Sequence, residues 1–164
     1  MTAPAHLDHD GIAARIPHAG AMCLLDSVVS WDEDHIECTG IGYPAAGAPP
    51  HPLSDAGRLP ATAAIEYAAQ AMALHGRLMQ EREAACGDGR QGAPRRGFLA
   101  GVRSVRLHCR WLAKDCPILT VRVERFAGDD VQVLYDFEVR AAGPIAQGRA
   151  VVVLDAGARS GMGS

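Results

Sequence analysis

The sequence predicts an α+β fold in which one long helix is wrapped by a curved antiparallel sheet. Residues 59–76, LPATAAIEYAAQAMALHG, form a small and apolar run of the kind found in helices buried on several sides. Segments rich in Val, Ile and other β-formers lie before and after this run. Because no second helix is predicted to cover the first, the sheet must wrap around it.

Two short strands are predicted before the helix. The residues up to about Ile16 are expected to be loosely structured, with a weak helical pattern in GIAARI. Residues 21–31 (AMCLLDSVVSW) indicate a strand, or a short turn followed by a strand, and residues 35–41 (HIECTGI) alternate as a second strand. Residues 42–58 are rich in proline and glycine, which predicts a loop. Loops of that length inside a compact domain are often functional.

The helix is predicted to run from Ala61 to about Ala85, with Pro60 in its first turn, where a missing N–H costs nothing. Its second half is charged and is expected to emerge into solvent, and the loop CGDGRQGAPRRG follows. Four more strands are predicted, with hairpin turns at AGDD and AAGP, over residues 98–106, 118–125, 131–140 and 145–154. We expect one domain over residues 1–164, with a core of about 15–154 and flexible termini that include the tail GARSGMGS.

The composition of the chain argues against several classes of function. The formal net charge is −3 and aromatic residues make up 5%, which argues against nucleic acid and an anionic membrane as partners. The five cysteines include no CxxC pair, and several lie in apolar runs, which is typical of free thiols in a reducing compartment. The N-terminal residues lack the basic start and apolar core of a secretory signal. We therefore expect a cytoplasmic protein.

Three segments together resemble a known family. They are IPHAGAMCLLDSVVSWD near the start, LPATAAIEYAAQAMALHG on the helix and GFLAGVRSVRL after it. In this combination the chain resembles the hot-dog-fold 3-hydroxyacyl-(acyl carrier protein) dehydratases, with the closest resemblance to the branch found in aryl-polyene-type gene clusters. The resemblance covers about residues 15–154. It implies a hot-dog fold and a homodimer, or a higher homo-oligomer, with the active site in a tunnel at the dimer interface.

The resemblance also implies a pair of catalytic residues. In the family, a His from the loop before the helix and a carboxylate on the partner subunit's helix share the elimination. The carboxylate matches Glu66. The family's fatty-acid enzymes carry the His in a Gly-His-Phe-Pro-Gly motif that this chain lacks, but His51 in APPHPLSDAG lies at a similar spacing, 15 residues before Glu66. The implied substrate is a 3-hydroxyacyl group on the phosphopantetheine arm of acyl carrier protein, without a metal or redox cofactor.

The residues themselves fit this chemistry. Dehydration needs a base for the C2 proton and an acid for the C3 hydroxyl, and imidazole and a carboxyl in an apolar surrounding are suited to these tasks. Free amides at the helix start, around Ala61 and Thr62, can polarise the thioester carbonyl. Gln70 lies one turn after Glu66 and can hydrogen-bond its carboxylate.

Each candidate also has a structural interpretation. Glu66 can stabilise the helix by interacting with its dipole, or it can pair with an arginine such as Arg58. Gln70 can cap a neighbouring strand. His18, which follows Pro17, is expected to be structural, and His75 does not share a helix face with Glu66. No metal-ligand spacing is present. Four arginines can meet the carrier protein or form a solvated face: Arg95, Arg96, Arg103 and Arg106.

Two other functions stay open. A hot-dog acyl thioesterase would use the helix carboxylate to activate water. A non-catalytic hot-dog partner would bind acyl chains, or pair with an active homologue, without turnover.

Overall fold

The computed structural model describes residues 6–87 and 95–155. The predicted flexible tail, and most of the predicted loop after the helix, lie outside these ranges. Within these ranges, six strands form one antiparallel sheet in the order β1-β2-β4-β5-β6-β3. The strands are β1 (Leu25–Trp31), β2 (His35–Ile41), β3 (Gly97–Leu107), β4 (Ile118–Gly128), β5 (Gln132–Arg140) and β6 (Pro144–Leu154).

In the described part of the chain, two α-helices accompany the sheet. The short α1 (His9–Ala13) is capped by Asp8, whose carboxylate accepts from the Gly11 amide at 2.9 Å. The long α2 (Ala64–Ala85) follows a 3₁₀ turn over Ala61–Ala63, so the predicted helix begins as a tighter turn. A second 3₁₀ turn, Gly20–Met22, precedes β1, which confirms a turn followed by a strand in this region.

The first half of α2 lies against the sheet, as its composition predicts. Tyr67, Ala71 and Leu74 on the helix have no exposed surface. On the sheet side, every second residue of β4 from Leu119 to Val123 is buried, because alternate side chains of a strand point to the same face. Small residues on the helix allow this close approach. Within the described residues, no helix is both long and apolar enough to span a membrane.

The start of α2 is held by the segment between β3 and β4. The Leu112 amide donates to the carbonyl of Leu59 at 2.9 Å, and the Ala61 amide donates to the carbonyl of Arg110 at 3.0 Å. Pro60 forms an isolated bridge with Trp111 between these two bonds. These contacts hold the start of the helix against the segment between β3 and β4. They thereby fix the direction in which the side chains of its first turn point.

β3 lies at one edge of the sheet and is largely uncovered. Nine of its eleven residues are exposed, among them Phe98 at 58% and Leu99 at 41%. β1, the opposite edge, is shorter and has a buried face. The sheet thus has one long edge with apolar side chains in contact with solvent.

Candidate functional site

The polar groups on the first turns of α2 form the centre of the site. Glu66 lies in the first α-helical turn, and Gln70 lies one turn later on the same face. Gln70 Nε2 donates to Glu66 Oε1 at 3.0 Å, so the expected hydrogen bond between them is present. The apolar first half of the helix therefore carries a linked carboxylate and amide where it meets the segment before β1.

The oxygen and the nitrogen of the Gln70 side-chain amide are both held by hydrogen bonds to the backbone. Its Oε1 accepts from the Leu24 amide at 2.9 Å, and its Nε2 also donates to the carbonyl of Met22 at 2.7 Å. The side chain has no exposed surface. It therefore ties the segment before β1 to the helix, which is the capping role predicted as the alternative, while it also orients Glu66.

Glu66 contacts a histidine that the sequence does not predict as its partner. His18, in the loop between α1 and the first 3₁₀ turn, places Nε2 at 3.0 Å from Glu66 Oε1. The two side chains are 28% and 32% exposed. Within one chain the carboxylate therefore has polar neighbours and partial access to solvent, in place of the apolar surrounding expected from the helix sequence. Arg58, the arginine considered as its partner, lies over the ring of Trp111.

His51 occupies a different environment. Its residue is 6% exposed, and its Nδ1 accepts from the Leu53 amide at 3.1 Å. Nε2 therefore carries the proton and donates to the Tyr67 hydroxyl at 2.7 Å, and that hydroxyl donates to the carbonyl of Ile41. Burial lowers the pKa of His51 and raises the pKa of Tyr67. Both ring nitrogens of His51 are thus in use within the chain.

The two sequence-predicted catalytic residues do not share a hydrogen-bond partner. Glu66 bonds to His18 and Gln70, whereas His51 bonds to Leu53 and Tyr67. His51 lines a cleft of about 230 Å³ together with Pro44, Pro49, Pro50 and Pro52. The role of His51 as a base stays a prediction, since a site shared between subunits involves a second chain.

The two predicted backbone donors also differ. The Ala61 amide is not free, contrary to the prediction, because it donates to Arg110 in the segment that holds the helix start. Thr62 is exposed, and no acceptor for its amide lies among the described residues. Of the pair, only Thr62 has an amide available to a ligand. Among the described residues, no group of three His, Cys, Asp or Glu side chains is arranged to hold a metal ion.

The contact of His18 with Glu66 is the feature of the site that the sequence does not predict, since only a structural role is expected for His18. Its sequence signal is the Pro17–His18 pair, which belongs to the N-terminal motif but has no fixed spacing to the helix. A stronger signal was the pair of polar residues, Glu66 and Gln70, on one face of an apolar helix. Such a pair requires polar partners from another segment, and the N-terminal loop provides them.

The comparisons with known proteins agree with this fold. The profile of the ApeP-like family, described as ApeP dehydratase, matches residues 11–158. The chain belongs to the ApeP-like dehydratase family. This confirms the resemblance to the aryl-polyene-type branch of the hot-dog dehydratases. No curated protein matches the sequence.

Solved structures similar to this ApeP-like chain share its fold. The dehydratase heterocomplex ApeI:P from Xenorhabdus doucetiae matches with a TM-score of 0.72 and 22% identity, over 91% of each chain. A hypothetical thioesterase with coenzyme A from Streptococcus pneumoniae TIGR4 matches with a TM-score of 0.53 and 11% identity, over 78% of this chain and 84% of that one. A mutant thioesterase PA1618 from Pseudomonas aeruginosa matches with a TM-score of 0.54 and 14% identity, over 90% and 94%. The predicted hot-dog fold is confirmed.

Proposed function

We propose that this ApeP-like chain dehydrates a 3-hydroxyacyl thioester carried on acyl carrier protein to the 2-enoyl thioester. The observation that carries the proposal is Glu66, a partly exposed carboxylate in the first turn of α2, held by His18 and Gln70 in a member of a dehydratase family. No metal or redox cofactor takes part. The expected location is the cytoplasm, in line with five free cysteines.

Glu66 supplies the acid of the elimination once its carboxylate has taken up the C2 proton. The C2 proton is acidified by the thioester carbonyl, and the C3 hydroxyl leaves only if it receives a proton. A carboxyl group with one oxygen engaged and the other available can deliver that proton. The exposed Thr62 amide at the start of the helix is a candidate donor to the thioester oxygen, where negative charge develops.

The enzyme is proposed to work as a homodimer or a higher homo-oligomer built through β3. Nine of the eleven residues of this edge strand are exposed, and an exposed apolar edge tends to pair with another strand. Phe98 and Leu99 would lose their contact with water in such a pairing. The four arginines near this edge, Arg95, Arg96, Arg103 and Arg106, are all exposed, and both of their predicted roles stay open.

Replacement of Glu66 by Gln tests the proposed reaction. We expect the Glu66→Gln variant to form 2-enoyl product at least about 100-fold more slowly than the unmodified chain, because an amide cannot exchange the proton. The measurement is mass spectrometry of a 3-hydroxyacyl carrier-protein thioester incubated with each protein.

Glu81→Gln is the matched control. Glu81 is on the same helix and similarly exposed, but pairs with Arg15 and Arg77 at the far end. It should keep full activity. Release of free thiol without enoyl product would indicate a thioesterase. Binding of the acyl carrier protein without turnover would indicate a non-catalytic partner.

A further inference from the structure

One oxygen of Glu66 has two polar neighbours, the donating amide of Gln70 and the ring of His18. The amide of Gln70 is oriented by Leu24 and Met22, so its nitrogen faces Glu66 and donates to Oε1. His18 Nε2 reaches the same Oε1 at 3.0 Å. Because Gln70 can only donate to it, Oε1 acts as an acceptor. Among the described residues no donor or acceptor is bonded to the other oxygen, Oε2.

The two ring nitrogens of His18 have different surroundings. Its Nδ1 is buried and has no hydrogen-bond partner in the described part of the chain. Its Nε2 faces a carboxylate oxygen, and a hydrogen bond there requires a proton on Nε2. A proton on Nε2 makes the contact with the carboxylate attractive. His18 therefore donates to Glu66.

We infer that His18 is a positioning residue for the dehydration: it holds Oε1 of Glu66, so that Oε2 alone exchanges the proton with the substrate. This inference rests on the proposed function. It assigns to Glu66 an imidazole partner from the N-terminal loop of the same chain. The family resemblance implied a different role for an imidazole, with His51 in the loop before the helix as the base.

The reaction then balances with one carboxylate. Oε2 takes the proton from C2, and the electron pair of that C–H bond forms the C2=C3 π bond as the C3–O bond breaks. Oε2 returns the same proton to the departing hydroxyl, which leaves as water. The carboxylate is regenerated, and His18 and Gln70 keep Oε1 in place throughout. Proton removal and return by one oxygen require that both occur on the same face of the substrate.

His51 has a structural role in this scheme. Its bond to the Tyr67 hydroxyl, and the bond of that hydroxyl to Ile41, fasten the proline-rich loop to α2 and to the end of β2. Release of the ring for catalysis would leave the buried Tyr67 hydroxyl with one partner fewer. Nothing in this role requires His51 to give up or take up a proton.

Substitution of the two histidines distinguishes the two assignments. Steady-state kinetics with a 3-hydroxyacyl carrier-protein thioester are measured for His18→Ala, His18→Gln and His51→Gln. We expect kcat of His18→Ala to fall about 100-fold with KM changed less than about threefold, since the lost bond orients the reacting group. His18→Gln retains an N–H that can reach Oε1, and should recover at least about tenfold of that loss.

The outcomes separate the inference from the proposed function. His51→Gln retains a donor toward Tyr67 and should lose less activity than His18→Ala. Full kcat in His18→Ala, or a greater loss in His51→Gln, overturns the inference while the dehydration stands. An unmodified chain without turnover overturns both.

If His18→Ala does not fold, ¹⁵N NMR of the histidine rings decides. The Nε2–H signal of His18 should shift in Glu66→Gln and stay in place in Glu81→Gln. An unshifted signal in Glu66→Gln overturns the inference.

Discussion

At the scale of single residues, three histidines around one helix have different surroundings. His18 is partly exposed and bonds to a carboxylate. His51 is buried and bonds to a phenol and an amide. His75 has no exposed surface; its Nε2 donates to the carbonyl of Asp32 at 2.8 Å, and its Nδ1 accepts from the Tyr135 hydroxyl at 3.0 Å. The contacts of each ring, and not its residue type, decide what it can do.

The buried His75 predicts a loss of stability in acid. Burial lowers the pKa of His75 below the ordinary 6.5. Below pH 6.5 the unfolded chain therefore takes up a proton that the folded chain refuses, so the free energy of unfolding falls as the pH falls, by up to about 1.4 kcal/mol per pH unit for one group. Urea denaturation from pH 7.5 down to pH 5 should show a shallower pH dependence for His75→Gln than for the unmodified chain.

His51 contributes to the same acid sensitivity, because burial lowers its pKa as well. The pH dependence in His75→Gln should therefore be reduced but not abolished. Equal pH dependence in the two proteins would contradict the prediction, since it would mean that His75 takes up its proton equally in the folded and the unfolded chain.

At the scale of elements, the close packing of α2 on β2 depends on a glycine. A Cβ added at Gly40 would lie 2.8 Å from Cδ1 of Tyr67, which is closer than atoms can pack. Tyr67 has no exposed surface, and its hydroxyl is bonded to both Ile41 and His51. The ring therefore has no easy way to move aside, and the helix and strand approach only because position 40 has no side chain.

Replacement of Gly40 by Ala should destabilise the fold by about 1–3 kcal/mol, because it forces an extra methyl group against a fixed ring. The measurement is the free energy of unfolding from urea denaturation. Gly76→Ala is the matched control: it lies inside α2 with no atom within 4 Å of the added Cβ. That change should stabilise the chain by about 0.5–1 kcal/mol, since Ala is the better helix former. Equal stability of Gly40→Ala and the unmodified chain would show that the ring can move.

At the scale of the whole molecule, the two edges of the sheet are unequal. β1 is seven residues long and packs one face inward, whereas β3 is eleven residues long and mostly exposed. A long apolar edge is normally covered by another strand or element. The proposed self-association through β3 would cover this edge, because the exposed β3 strands of the two chains would pack against each other.

Replacement of Phe98 by Asp tests this association. We expect Phe98→Asp to convert a dimer to monomers at micromolar concentration, because a carboxylate buried without a partner in an apolar interface is costly. Analytical ultracentrifugation measures the change. Val29→Asp is the control, because Val29 is 55% exposed on β1, the opposite edge. A dimer that survives Phe98→Asp but dissociates with Val29→Asp would place the interface at β1.

The sequence by itself determined the helix and strands of this protein and the placement of two site residues on one helix face. Periodicity and composition specify the apolar helix and the strands, and the spacing of Glu66 and Gln70 places both on one helix face, because these features depend on neighbours along the chain. Only the tertiary structure decided that His18 contacts Glu66, that His51 is bonded to Tyr67, and that the Ala61 amide is occupied by Arg110. These contacts depend on the paths of irregular loops, and loop paths are set by packing between distant segments, for which a local pattern carries no signal.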